Sequence, residues 1–168
     1  MMKKLRFRFT KESLFYSAKT LLGAGICWYG LRISGVNNPI WAVITVIIVS
    51  DADLSTTATL AKTRVINTVV GCISGIIGLS LFGYTPLICL LTAAATVLLV
   101  TSIEHYPANW RLAPVTVVIV MDAGRQAVGK ESEIFYALTR AGEIGLGCVV
   151  ALYLALIFSR IAAKPRLF

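Results

Sequence analysis

The chain is short of charge, of acid above all, and of the residues that carry chemistry in soluble enzymes. Asp, Glu, Lys and Arg make up 14% of its 168 residues, where a water-exposed domain uses roughly 25%. There is one histidine, His105, and the four cysteines (Cys27, Cys72, Cys89 and Cys148) stand alone, without a CxxC pair or Cys/His spacing. No metal or cofactor site is therefore expected, and the cysteines read as small buried hydrophobes. No Ser/His/Asp or Cys/His constellation and no glycine-rich phosphate loop ahead of a helix is visible, so the chain does not read as an enzyme.

What it has instead is apolar length. The sequence is 57% hydrophobic, with a mean hydropathy of +0.80. A bilayer core of ~30 Å takes about 20 helical residues to cross, and the apolar segments allow about six crossings with almost nothing left over. The expectation is an all-α integral membrane protein whose residues 1–168 form one membrane domain in the lipid bilayer. A net charge of +8 does not point to nucleic acid, because the basic residues flank apolar segments. Lys3, Lys4, Arg6, Arg8 and Lys11 precede the first, and Arg160, Lys164 and Arg166 follow the last. By the positive-inside rule both termini are cytoplasmic, which requires an even number of spans. The first apolar run, 14–33, is too long for the core of a signal peptide and lacks a small-residue cleavage site.

Spans are expected at 14–33, 54–82, 87–103 and 133–158. Two shorter apolar segments lie between them: one from Pro39 to Ser50, stopped by Asp51 and Asp53, and one at 112–121, interrupted by Pro114 and ended by Asp122. These segments repeat. TVIIVSDA at 45–52 recurs as TVVIVMDA at 116–123; Thr63-Arg64, Gly71-Cys72 and Phe82 recur at identical spacing as Thr139-Arg140, Gly147-Cys148 and Phe158. The chain reads as two units, 12–83 and 84–160. With an odd number of crossings each, they would be two inverted three-helix repeats. Paired short segments in two such halves point to a transport site between them.

Arg64 and Arg140 occupy matched positions, with Asn67 and Gly71, or Glu143 and Gly147, further along the same helix face. One reading is a pathway lining in which each guanidinium holds a carboxylate in a two-pronged hydrogen bond. The other is an interfacial arginine that snorkels to headgroups and opens a packing seam. Glu143 is either a proton-coupling acid or an i,i+3 partner of Arg140. Asp51 and Asp122 stand where a helix macrodipole disfavours negative charge; they read either as gating or cation-coupling groups or as caps of the following helix, the role preferred for Asp53. Lys19, a turn and a half inside the first span, reads as a snorkelling residue. His105 reads as a turn residue, and Trp28, Trp41 and Trp110 as an aromatic belt.

From Trp41 to Gly78 the chain resembles the fusaric acid resistance and aromatic acid exporter family. That family's membrane unit has a Trp-led short helix, a polar break, and a helix opening Arg-x-x-Gly-Thr-x-x-Gly. Here the motif is Arg64-Val65-Ile66-Asn67-Thr68-Val69-Val70-Gly71, with Asn67 in place of a Gly. The chain is also similar to the membrane part of plant aluminium-activated malate transporters, which are dimeric anion channels. The resemblance implies an inner-membrane transporter or channel for small organic, including aromatic, anions. Together with the paired arginines of the repeat, this gives Arg64, Arg140, Asn67 and Thr68 as expected substrate contacts, a homodimer as the expected assembly, and a periplasmic adaptor as a candidate partner. The alternative is a non-transporting membrane subunit that scaffolds or regulates a larger complex.

Overall fold

In a computed structural model, which describes residues 11–107, 109–125 and 130–162, the apolar segments form helices. They are α1 (Lys11–Ile33), α2 (Ile40–Val49), α3 (Leu54–Phe82), α4 (Pro86–Ser102), α5 (Leu112–Arg125) and α6 (Lys130–Ala162), with no strand among the described residues. Local chemistry sets several ends. Asp53 caps α3, its carboxylate accepting from the Thr56 N–H at 2.9 Å and from the Ser55 hydroxyl. Gly83 ends α3 at φ +69°, a conformation glycine adopts without strain, and its N–H donates to the Leu79 carbonyl at 2.8 Å. Thr85 then caps α4, whose first residue is Pro86.

Two expected boundaries in the second half are corrected. Asp122 does not end α5, which runs on to Arg125. The Asp122 carboxylate pairs with Arg125 one turn later at 3.5 Å, which offsets its unfavourable place near a helix C-terminus. Pro114 does not interrupt α5 either. It lies in the first turn, where the missing N–H would have had no intrahelical partner.

The polarity of the molecule is inside out. Leu21, Leu98 and Leu138 are 64–74% exposed, whereas Thr45, Thr57, Arg64, Asn67, Thr116 and Glu143 are buried. Water would drive such a distribution the other way; lipid permits it, because the outer surface then has to be apolar. Leu54–Phe82 and Ala137–Ile161 are long and apolar enough to cross a membrane, and α2 and α4 are shorter apolar helices. At 1.5 Å per residue α2 is only about 15 Å long.

The packing of one half on the other is reciprocal. At Gly71 of α3 a Cβ would fall 2.5 Å from the Ala113 carbonyl oxygen and from Thr116 Cβ on α5; at Gly147 of α6 it would fall 2.6 Å from the Ala42 carbonyl oxygen and 2.8 Å from Thr45 Cβ on α2. Only glycine lets these backbones approach so closely. The cores match as well: Val49, Ala61 and Cys148 pack in one cluster, and Val120, Ala137 and Cys72 in another. Along both contacts residue numbers rise together, so α2 lies parallel to α6, and α3 to α5. The long helices α3 and α6 pack against each other between them.

Candidate functional site: the buried arginine seam

The α3 face that meets α5 and α6 carries Thr63, Arg64, Asn67, Thr68 and Gly71, all buried. A residue that reaches solvent needs no partner from the protein; these residues do. Thr63 and Thr68 donate to carbonyls one turn back, Thr68 to that of Arg64 at 2.7 Å. Asn67 donates through Nδ2 to the Thr63 carbonyl at 2.8 Å and accepts at Oδ1 from the Tyr106 hydroxyl at 2.9 Å. Tyr106, in the connection before α5, thus ties that connection to the middle of α3. Its phenol is pushed above its ordinary pKa by burial, so it stays a proton donor at neutral pH.

Arg64 is the exception. It is 1% exposed, next to Cys148 of α6, and its Nε and Nη1 are buried with no hydrogen-bond partner. The ion pairs among the described residues are Asp122 with Arg125 and Arg140 with Glu143, so no carboxylate answers Arg64. This burial removes the headgroup-snorkelling reading for Arg64, because a 1% exposed guanidinium is covered by protein. An isolated charge in a low-dielectric interior costs several kcal/mol even after relaxation, which makes Arg64 the least satisfied group of the seam.

Arg140 is answered within the chain. Its Nη1 donates to Glu143 Oε1 at 2.8 Å and to Oε2 at 3.0 Å, and the arginine side chain is 20% exposed against 2% for the glutamate. The Glu143 carboxylate also takes a hydrogen bond from the backbone N–H of Trp41, in the first turn of α2. Pro39, which precedes α2, offers no side-chain cap. An acid from α6 therefore serves one of the free N–H groups of that turn and meets the positive end of its dipole.

Asp51 and Asp122 lie apart from this seam. Asp51 is in the break between α2 and α3, where its carboxylate accepts from the Asp53 N–H at 3.0 Å and its own N–H donates to Thr57 Oγ1 at 3.0 Å. Asp122 is exposed on α5 with Arg125. Lys19, expected to reach out to headgroups, is turned inward instead: it is buried, and its Nζ donates to the Asp51 carbonyl, while Tyr16 donates to the Ser50 carbonyl at 2.8 Å. These are carbonyls at the open C-terminal end of α2, the negative pole of its dipole, where a cation is favoured. The sequence reading passed over Tyr106 and the Trp41 N–H as site components. The available signal for Tyr106 was a phenol beside Pro107 in an otherwise polar turn.

A groove of about 440 Å³ runs between α3 and α4, past Ile77, Gly78, Leu91, Thr92 and Leu99. It is apolar, opens on the outer face and does not include the arginines, so it is a surface furrow rather than the seam.

Comparison with curated proteins and with solved structures finds no match. A family comparison does: the model for fusaric acid resistance protein-like proteins matches residues 21–154, from the middle of α1 to the last third of α6. With an apolar outside, a polar seam inside and a family match over most of its length, the chain belongs to the fusaric acid resistance protein-like family of membrane proteins.

Proposed function

We propose that the protein is an inner-membrane transporter or channel for small organic anions, with Arg64 as the group that contacts the anion. Family membership carries the transporter-like role; the carboxylate specificity rests on the seam. The observation that supports it is Arg64, 1% exposed with two nitrogens lacking any partner. A planar guanidinium offers five donors in a rigid fork that fits a carboxylate, so an incoming carboxylate meets the charge and takes up a free N–H at Nε or at Nη1. Thr68 and Asn67 line the same face. In this reading the six helices cross the membrane as two inverted three-helix repeats with both termini cytoplasmic. A homodimer covers the short α2 and α5, and a periplasmic adaptor would receive the exported anion. Glu143 is the acid that would couple transport to protons, with Asp51 and Asp122 at the ends of the paired short helices as gating groups.

The test is flux of labelled benzoate in proteoliposomes, with and without a pH gradient. Arg64→Gln is expected to abolish flux while expression and particle size stay unchanged, and Arg64→Lys to keep part of it, because charge survives while the bidentate geometry is lost. Wild-type flux from Arg64→Gln, or no flux from the wild type, would leave the scaffold subunit as the better reading.

A further inference from the structure

We propose that Asn67 is the residue that keeps Arg64 open to an external carboxylate, so that the chain offers one anion-binding half-site and closes the other with its own Glu143. This rests on the anion-transport reading above. The two arginines hold the same place in matched stretches: each follows a Thr, and each is followed seven residues later by Gly-Cys. Each glycine packs on the corresponding Ala and Thr of the other half. One turn beyond the arginine, however, the stretches differ in charge, with Glu143 after Arg140 and Asn67 after Arg64.

That difference in charge accounts for the unequal state of the two guanidinium groups. At Arg140 the carboxylate three residues on lies within 2.8–3.0 Å of Nη1, and the charge is neutralised inside the chain. At Arg64 the residue three on is neutral, and both ends of its amide are engaged elsewhere, Nδ2 by the Thr63 carbonyl and Oδ1 by the Tyr106 hydroxyl. Asn67 therefore lacks the charge, its amide is held by Thr63 and Tyr106, and Arg64 Nε and Nη1 stay unpartnered. The chain displays the chemistry of the missing ligand in its other half: Glu143 is a carboxylate held by the matching arginine. The external partner of Arg64 is accordingly a carboxylate.

A glutamate at position 67 would stand to Arg64 as Glu143 stands to Arg140, with lone pairs left to accept from Tyr106. Tethered to the same helix, it would act at an effective concentration of roughly millimolar or more and displace a free acid below that level.

The experiment uses the full chain in mild detergent with labelled benzoate and equilibrium dialysis. The wild type should bind about one benzoate per chain, and Asn67→Glu should weaken binding at least about tenfold. Asn67→Glu should also melt at a higher temperature than the wild type without benzoate and gain nothing when benzoate is added. Two benzoates per wild-type chain, a measurement that needs no variant, would overturn the unequal half-sites, as would wild-type affinity in Asn67→Glu. Those results leave the transport reading standing, whereas a wild type that neither binds nor carries benzoate overturns both.

Discussion

Glu143 touches three things at once: the guanidinium of its own helix, the first turn of α2, and the packed surface that buries it. Its removal therefore has a structural effect whatever it does in transport. Glu143→Gln keeps one acceptor oxygen but leaves Arg140 without a counter-charge, and breaking a buried pair from one side costs roughly 3 kcal/mol. The expected outcome is a melting temperature several degrees below the wild type in the same detergent, with Asp122→Asn, whose carboxylate is exposed, as the unchanged control. An unchanged melting point in Glu143→Gln would remove the structural role. Flux from the same variant addresses coupling: loss of pH-driven benzoate movement with passive exchange intact is the result for a proton-carrying Glu143. The i,i+3 spacing made the Arg140 pair visible in the sequence, because a helix puts those residues on one face. The inward turn of Lys19 was not visible, because it depends on where α2 stops in space relative to α1, and linear spacing holds no such information.

Among the elements, α3 is the one whose limits were legible at both ends, 54 and 82. Each is marked by side-chain or backbone chemistry within three residues: an Asp that caps, a Gly at positive φ, a Thr-Pro that starts the next helix. The end of α5 was misread because the Asp122 stop signal is cancelled by Arg125, a partner on the far side of the supposed boundary. The cap of α3 gives a pH test. The bonds from Ser55, then from Thr56, hold the Asp53 carboxyl below its ordinary range. A depressed folded-state value means that the ionised cap stabilises the fold above the ordinary aspartate value of about 3.9 and that this contribution fades as pH falls through the lower folded value. The melting temperature of the wild type relative to Asp53→Asn should therefore be constant from neutral pH down to the ordinary aspartate range and shrink only below it. A difference that shrinks already between pH 7 and 5 would assign the effect to another group.

For the whole molecule, the directions of the helices carry the argument. Residue numbers rise together along the α2–α6 and α3–α5 contacts, from Ala42 and Gly147 to Val49 and Ala151 on one side and from Gly71 and Ala113 to Gly75 and Val120 on the other. In a chain that alternates direction at every crossing, helices of equal parity are parallel. The observed pairs, second with sixth and third with fifth, obey that rule. The composition pointed to about six crossings, yet among the described residues two helices meet the length and hydropathy of a full span, so the number of crossings is best read from labelling. The four native cysteines are free and buried, which makes the wild type a low-background host for single added cysteines and a membrane-impermeant thiol reagent on intact cells. With cytoplasmic termini and six crossings, the α1–α2 and α3–α4 turns face outward and the α2–α3 break and α4–α5 connection face inward. Ser34→Cys and Tyr84→Cys should label on intact cells, whereas Ala52→Cys and Glu104→Cys should label only after the membrane is opened. Labelling of Ser34→Cys and Ala52→Cys from the same side would make α2 a helix that enters and leaves by one face. The two halves would then no longer be inverted, and the matched Arg64 and Arg140 would lie toward the same face of the membrane.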